Sequence, residues 1–221
     1  MKKEYEELNT TKVNITPEQW NRYEEALRKR VRSGRFEHSK SVAEEAAVLA
    51  KKYGANVDAA MLAGLLHDYA RDLPDSELLS IAEENNLVSC WVEEKIPLLL
   101  HGPVGAVLIK EELGINDEEV LEAVSRHTTG APDMGKIAKI VYLADSIEPL
   151  RKYKGVENFR RLSRINLNIA VFEVMNSSIQ YCISKNSLIH PFTLEARNKL
   201  LYELESINLD FKELFGRDVI G

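Results

Sequence analysis

The chain has 221 residues, of which 44% are hydrophobic and 29% are charged, and its formal net charge is −6 at pH 7. This composition predicts a folded globular protein, and the negative charge argues against general nucleic-acid binding and against a polybasic membrane surface. Cys90 and Cys182 form no metal or redox motif, the first residues resemble no signal peptide, and no apolar run approaches the roughly 20 residues that cross a bilayer. We therefore expect a cytoplasmic protein.

Helical periodicity dominates the sequence, and no stretch alternates with the period of two that is typical of strands. Thr16 and Pro17 open the first predicted helix, and Asn56 caps the third. We expect an all-α protein with a polar N-terminal extension at 1–15 and a single helical domain at 16–221. The predicted helices cover about 17–32, 38–53, 57–71, 75–86, 89–95, 103–113, 117–128, 135–150, 163–185 and 194–215, the last of them capped by Thr193.

Side chains that bind metals recur on the predicted inner faces of these helices. His38, His67 and Asp145 each fall on an apolar helix face, and Asp68 follows His67 directly. A single inward histidine is more often a hydrogen-bonded core residue than a ligand. Burying several imidazoles and carboxylates together is costly, however, unless a cation satisfies them. The four residues together therefore predict a metal centre.

The ligand types indicate which metals and which chemistry such a centre supports. Nitrogen and oxygen ligands without thiolate favour iron, manganese or zinc, and such ions lower the pKa of bound water and stabilise charge on phosphoryl oxygens. Two further histidines, His101 and His127, leave two arrangements open. Either they bind a second ion with Asp68 as the bridge, or they hold the phosphates or protonate the leaving group.

Arginines accompany the predicted metal centre along the sequence. Arg35, Arg71, Arg126 and Arg151 each lie within a few residues of one of the candidate ligands. Any one of them alone would more often be a solvated surface residue. Together they supply the charge that binding of several phosphates requires.

Longer motifs resemble a known family. The matching stretches are AGLLHDYARDLP from Ala63, LLHGPVGA from Leu99, SRHTTG from Ser125, YLADSIEPLR from Tyr142 and IHPFTLEARN from Ile189. They resemble the HD-domain superfamily and, within it, the YqeK-type symmetrical bis(5'-nucleosyl)-tetraphosphatases, over roughly residues 17–205. The resemblance implies an HD-domain helical bundle that hydrolyses diadenosine tetraphosphate to two ADP, by attack of metal-activated water on an inner phosphorus.

The same resemblance assigns roles to residues of this chain. It implies one or two divalent ions per chain, with iron favoured over manganese or another first-row metal. The implied partner is a small nucleotide with ADP or GDP as product, without nucleic acid or membrane, and the chain would act as a monomer or homodimer. The expected metal ligands are His38, His67, Asp68 and Asp145, with His101 and His127 for a second ion, and the expected catalytic residues are His67, Asp68, His101 and His127. The expected substrate contacts are Arg35, Arg71, Asp72, Leu73, Pro74, His101, His127, Thr128, Arg151, Leu188, Ile189, His190, Pro191, Phe192 and Thr193.

Two other functions also fit the sequence, and a purely structural helical protein is a weaker third alternative. One is a different HD-domain nucleotide phosphohydrolase, acting on a nucleoside monophosphate, a deoxynucleoside triphosphate or a guanosine alarmone. The other is a non-catalytic sensor that binds a nucleotide through its metal. Product analysis separates the enzymes, because symmetrical cleavage of diadenosine tetraphosphate yields only ADP. Nucleotide retention without turnover would indicate the sensor.

Overall fold

The computed structural model describes residues 13–205, and this part of the chain is helical and contains no strand. The predicted all-α fold is therefore confirmed. The α-helices are α1 (Pro17–Arg30), α2 (Ser33–Tyr53), α3 (Val57–Leu66), α4 (Asp75–Glu84), α5 (Trp91–Lys95), α6 (His101–Leu113), α7 (Glu118–Arg126), α8 (Lys136–Ile147), α9 (Val156–Ser163), α10 (Leu167–Ser184) and α11 (Pro191–Glu205), and a 3₁₀ turn covers Pro97–Leu100.

Side-chain caps fix where several helices begin. Thr16 accepts a hydrogen bond from the amide of Gln19, whose side chain accepts one from the amide of Thr16, so α1 opens with a capping box. Asn56 caps α3 by accepting from the amide of Ala59, and Asp117 caps α7 in the same way. The caps predicted at Thr16 and Asn56 are both confirmed.

Three predicted boundaries were wrong. Helix α2 begins at Ser33 rather than near His38, because the amides of Arg35 and Phe36 already bond to the carbonyl of Arg32. The predicted third helix stops at Leu66 instead of continuing through the HD pair. The long helix predicted at 163–185 begins only at Leu167, because Asn166 accepts from the amide of Ile169 and caps α10 there, and the preceding helix α9 was not predicted.

The predicted cap at Thr193 was also wrong. Helix α11 already begins at Pro191, whose fixed φ suits a first helical position, so Thr193 lies inside the first turn. His190 serves the helix end instead: its Nδ1 accepts from the amide of Phe192 at 3.2 Å, and its carbonyl accepts from the amide of Thr193 at 3.1 Å. The predicted end of this helix near 215 lies outside the described residues.

The core places α2 against α3 and α8, and α7 against α6 and α8. Phe36, Leu66, Ile140 and Phe172 are among its fully buried side chains, and each contributes about 1.5–3 kcal/mol on burial. The helices α2 and α3 approach closely at Gly64, where an added Cβ would lie 3.0 Å from the Cα of Ala43. This packing draws the inner faces of α2, α3 and α8 towards one another.

Both ends of the chain carry sequence that the structure does not describe, at 1–12 and 206–221. Most of the predicted N-terminal extension falls there. Its last residues contact the start of α3: the Asn56 side chain donates to the carbonyl of Val13 at 3.2 Å, and the amide of Ile15 donates to Asp58 Oδ2 at 3.1 Å. Among residues 13–205, no helix has the length and apolar character needed to cross a membrane.

Candidate metal centre

The histidines and aspartates of the HD pattern meet at one point of the fold. Nε2 of His38, on α2, lies 2.9 Å from Oδ1 of Asp145, on α8. Nε2 of His67 lies 3.8 Å from the same oxygen and 3.4 Å from Oδ2 of Asp68. The predicted convergence of these distant residues is therefore present in the structure.

The end of α3 explains how two adjacent residues can face one centre. On a continuous helix, the side chains of His67 and Asp68 would diverge by about 100°. The helix instead ends at Leu66 and gives way to turns, in which the amide of Tyr69 bonds to the carbonyl of Leu66 and the amide of Arg71 bonds to that of Asp68. This change of backbone direction brings both side chains to the centre.

His101 and His127 form the other side of the cluster. His101 is the first residue of α6, and His127 directly follows α7. Their Nε2 atoms lie 3.2 and 3.7 Å from Oδ1 of Asp68 and 2.9 Å from each other. The hydroxyl of Thr128 is within 3.2 Å of both rings. The two oxygens of Asp68 thus face different groups, Oδ2 towards His67 and Oδ1 towards this histidine pair.

The orientation of all four rings follows one rule. Each ring donates its Nδ1–H to a fixed oxygen, which leaves the Nε2 lone pair directed to the centre. The partners are the Glu148 carboxylate for His38 at 3.0 Å, and the carbonyls of Gly64 for His67 at 2.8 Å, Leu98 for His101 at 2.5 Å and Val124 for His127 at 2.7 Å.

A divalent cation fits these residues. Nε2 of His67 is buried and has no hydrogen-bond partner, which is costly for a polar atom. The facing Nε2 atoms of His101 and His127 are both acceptors in this tautomer, and Thr128 can donate to only one of them. Ligand atoms of His38, His67 and Asp145 lie within 4.8 Å of one another, as do those of His67, Asp68 and His127. A cation would satisfy the unpaired atoms, and the donor set suits a first-row metal.

The charges of the cluster favour a cation as well. Burial opposes protonation of His67, but the carboxylates of Asp68 and Asp145 outweigh it and raise the pKa of this ring to about 9. Burial lowers the pKa of His101 to about 4, so this ring is neutral at physiological pH. Burial alone would raise the pKa of Asp68, yet the charge of His67 holds it well below its ordinary value. The field that attracts a proton to His67 also attracts a metal ion.

A cavity of about 340 Å³ opens beside the cluster. Arg35 pairs with Oδ2 of Asp68, and the guanidinium of Arg151 donates to Oδ1 of Asp145 at 2.5 Å and to its carbonyl at 2.8 Å. Arg71 is half-buried in the wall. The lining consists of Arg35, Asp68, Arg71, His101, His127, Thr128, Tyr142, Asp145, Ser146, Arg151 and Ser178.

Other candidate residues lie outside this lining. Asp72 binds Arg32 at 2.8 Å, Leu73 packs on the core and Pro74 precedes α4.

Arg126 was expected beside the metal, but its guanidinium lies over the ring of Phe192 at 5.4 Å. A charged group so placed on an aromatic face is held there rather than at the cavity.

The segment 188–193 lies next to the loop that follows His127. It was expected to contact substrate, yet none of its residues lines the cavity. Thr193 donates to the carbonyl of Thr129 at 2.8 Å, so the segment touches the loop that carries Thr128. His190 is buried and contacts Oε1 of Glu93 at 3.2 Å. The remaining residues named from the sequence for this segment are Leu188, Ile189 and Pro191.

Sequence reasoning missed four residues around the centre. Tyr142, Ser146 and Ser178 line the cavity. Glu148, which is 1% exposed, orients His38. The signal for Glu148 was available, since it follows Asp145 by three residues and therefore lies on the same helical face. Nothing in the sequence distinguished Ser178 from the other polar residues of α10.

Among known protein families, the sequence model of the HD domain matches residues 35–150 of this chain. The chain belongs to the HD-domain family. The matched region of this HD-domain protein begins at Arg35 and contains His38, His67, Asp68 and Asp145.

Similar proteins agree with this membership. The chain is 40% identical over 172 residues to a symmetrical bis(5'-nucleosyl)-tetraphosphatase of Halalkalibacterium halodurans, covering 76% of this chain and 90% of that protein. A Bacillus subtilis protein of the same name is 34% identical over 181 residues, covering 80% of this chain and 97% of that one. A crystal structure of a predicted HD superfamily hydrolase involved in NAD metabolism, from Clostridium acetobutylicum, superposes with a TM-score of 0.81 at 35% identity and covers 83% of this chain and 97% of that one.

Proposed function

We propose that this HD-domain protein is a metal-dependent hydrolase that cleaves diadenosine tetraphosphate symmetrically into two ADP. The observation that carries the proposal is the buried histidine–aspartate cluster beside a cavity walled by Arg35, Arg71 and Arg151. The names of the similar proteins from H. halodurans and B. subtilis supply the substrate.

The metal would be held by His38, His67, Asp68 and Asp145. We propose iron, because imidazole and carboxylate ligands without thiolate suit it, and one or two ions per chain depending on whether His101 and His127 bind the second. When bound, the ion supplies activation of a water molecule and stabilisation of negative charge on the phosphoryl oxygens.

The protein groups position the polyphosphate for the reaction. Arg35, Arg71 and Arg151 project into one cavity, and guanidinium groups bind phosphate oxygens in a bidentate manner. Water adds to an inner phosphorus, the central P–O–P bridge breaks, and the leaving ADP takes a proton. The arginines neutralise the charge with which the carboxylates of Asp68 and Asp145 would otherwise repel four phosphates.

We also assign the segment 188–193 to the substrate site. It does not line the cavity, but Thr193 and Phe192 contact the region around Thr129 and Arg126, next to His127 and Thr128. A nucleoside that extends from the arginine-walled cavity would reach this segment. Cytoplasmic location, a monomeric or dimeric state and the absence of nucleic-acid partners stay predictions.

Product analysis tests the function directly. Purified protein should contain a first-row metal by elemental analysis and convert diadenosine tetraphosphate into ADP alone, whereas ATP plus AMP would contradict symmetrical cleavage. Asp68→Asn should abolish turnover, because it removes the charge that both halves of the cluster share. Asp133→Asn, at an exposed position outside the cavity, is the matched control and should keep wild-type activity.

A further inference from the structure

A second cavity lies on the other side of Arg35 and Arg151. It measures about 530 Å³, and its lining includes both of these arginines and His38. The smaller cavity also includes Arg35 and Arg151 in its lining. The two cavities therefore share a pair of arginines, and both have HD-pattern ligands in their walls: His38 in the second cavity, and Asp68 and Asp145 in the 340 Å³ cavity.

The second cavity combines positive charge with open apolar surface. Leu150 is 55% exposed, although it is a large hydrophobic residue next to a cluster of charges. The guanidinium of Arg32 is paired with Asp72, and its side chain is 80% exposed. Planar guanidinium groups and exposed aliphatic side chains are surfaces on which a nucleobase can stack.

The acidic residue in the lining does not oppose an anionic ligand. Glu148 is buried, and both of its oxygens are engaged: Oε1 contacts His38 Nδ1 at 3.0 Å, and Oε2 accepts from the Ser41 hydroxyl at 2.7 Å and from the Leu150 amide at 2.5 Å. Its charge is therefore balanced by hydrogen bonds from His38, Ser41 and Leu150 and is not exposed to the cavity.

Gly34 keeps the floor of this cavity free. It is the second residue of α2, is exposed, and an added Cβ there would meet no atom within 4 Å. The amides of Arg35 and Phe36 are bonded to the carbonyl of Arg32, so the first turn of α2 is hydrogen-bonded around Gly34. The space above Gly34 is large enough for a nucleoside, since pockets for small molecules start at about 300 Å³.

We infer that this second cavity, over Gly34 and beside Leu150, binds the second nucleoside of the substrate. The inference rests on the proposed function. A hydrolase that cuts a symmetrical dinucleoside tetraphosphate at its centre must hold one nucleoside diphosphate on each side of the cleaved bond. The 340 Å³ cavity provides one such place, and the 530 Å³ cavity across Arg35 and Arg151 provides the other.

Two substitutions in the second cavity test this assignment. Gly34→Trp fills the space above α2, and Leu150→Asp replaces the apolar surface with a negative charge. Each should raise KM for diadenosine tetraphosphate by about tenfold or more, the size of effect that loss of an apolar contact has on specificity. Binding of a single ADP, measured by calorimetry, should change by less than twofold, because one nucleoside diphosphate fits the first cavity.

Matched controls separate these effects from misfolding. Val48→Trp places the same side chain on the exposed outer face of α2, where Val48 is 62% exposed, and Ile165→Asp changes a residue that is 50% exposed outside both cavities. Both controls should leave the KM unchanged. If Gly34→Trp fails to fold, as judged by circular dichroism, Leu150→Asp still decides, because its side chain is already in solvent.

The outcomes distinguish the two proposals. Wild-type protein that does not cleave diadenosine tetraphosphate would overturn the proposed function and this inference with it. An active wild type whose Gly34→Trp and Leu150→Asp variants keep their KM would overturn this inference alone. So would an equal loss of ADP binding and of substrate affinity, since that would place both substitutions in one common subsite.

Discussion

At the scale of single residues, the histidines owe their role to the partners of their second nitrogen. A neutral imidazole can bind a metal through Nε2 only if Nδ1 carries the proton, and in each of the four rings a fixed oxygen accepts that proton. Three of these oxygens are backbone carbonyls, each three residues before its histidine. The fourth belongs to Glu148, so His38 is the one ring of the four whose orientation depends on a titratable side chain.

Substitution of Glu148 should therefore weaken the metal site without removing a ligand. In Glu148→Gln, the amide loses the charge that orients His38, and its NH₂ group faces the donors of Ser41 and Leu150. We expect metal affinity to fall by roughly 10- to 100-fold, as for other partners of metal-binding histidines. Metal titration measures this directly. Glu44→Gln, at an exposed position on α2, should leave the affinity unchanged, and an unaltered affinity in Glu148→Gln would contradict the role.

The residues with metal-binding side chains could be predicted from the sequence, but most of the residues that contact them could not. His38, His67, Asp68 and Asp145 are visible because buried charge on apolar helix faces is unusual. Arg126 looked equivalent to Arg151, yet it turns to Phe192, because the direction of a long side chain depends on tertiary neighbours.

At the scale of helices, the approach of α6 to α7 sets the distance between His101 and His127. Gly102 directly follows His101, and an added Cβ there would lie 2.8 Å from the carbonyl oxygen of Ser125 and 3.1 Å from that of Val124. Both neighbours are backbone atoms of α7, so they cannot turn aside. The absence of a side chain at Gly102 lets the histidine pair reach 2.9 Å.

Gly102→Ala should separate these helices and disturb the centre. We expect a loss of about 1–3 kcal/mol in the free energy of unfolding, as for other overpacked core positions, together with weaker metal binding. Denaturant unfolding and metal titration measure the two effects. Gly105→Ala on the same helix is the matched control, because its Cβ would meet the Val124 side chain at an ordinary 3.5 Å. Equal stability of the two variants would show that the close approach is unimportant.

A buried hydrogen bond between Glu93 and His190 fixes the segment before α11. Glu93, on α5, accepts from the amides of Ser89 and Cys90 through Oε2, and its Oε1 contacts Nε2 of His190. Burial would raise the pKa of Glu93, but the hydrogen bond from His190 and those from the amides outweigh it and lower this pKa. A carboxyl group whose folded pKa is depressed stabilises the fold above its unfolded pKa, and that stabilisation is lost as the pH falls through the folded value.

Glu93→Gln should consequently cost stability at neutral pH and cost less in acid. The difference in Tm between wild type and Glu93→Gln should be largest at pH 7 and should shrink below about pH 4.5, where the unfolded carboxyl begins to bind a proton. Thermal unfolding of both proteins across this range measures it. Glu94→Gln, its exposed neighbour on α5, should show no such difference. A constant gap between Glu93→Gln and wild type at all pH values would contradict a charged, hydrogen-bonded Glu93 in the folded state.

The number and order of the helices were largely predictable, but their ends at the site were not. Thr16 and Asn56 mark helix starts through hydrogen bonds to amides three residues later, and such local bonds are predictable from the residue type. The end of α3 at Leu66 is different, because the following residues Tyr69 and Ala70 suit a helix well. The turn there depends on packing with other helices and on the polar cluster, and neither is encoded in local propensity.

At the scale of the whole molecule, the metal centre joins parts of the chain that are far apart in sequence. Its proposed ligands come from α2, from the turn after α3 and from α8, and His101 and His127 add the start of α6 and the residue after α7. A cation held among these elements binds only the folded state, since the ligands separate on unfolding. Its binding free energy therefore adds to the stability of the entire domain.

Metal removal should lower the thermal stability of the protein and metal addition should restore it. With metal at a hundred times its dissociation constant, linkage predicts about 2.7 kcal/mol, which for a domain of this size corresponds to a shift in Tm of roughly 5–10 °C. Thermal unfolding of metal-loaded, chelator-treated and reconstituted protein measures the shift. The same treatment of His67→Ala should give a much smaller shift, because that ring has its unpaired Nε2 at the centre of the cluster. A chelator effect of equal size in wild type and His67→Ala would mean that the stabilising ion binds elsewhere. The helices would then be held by their packing alone, and the unpaired nitrogen would be a cost that the fold carries without a cation.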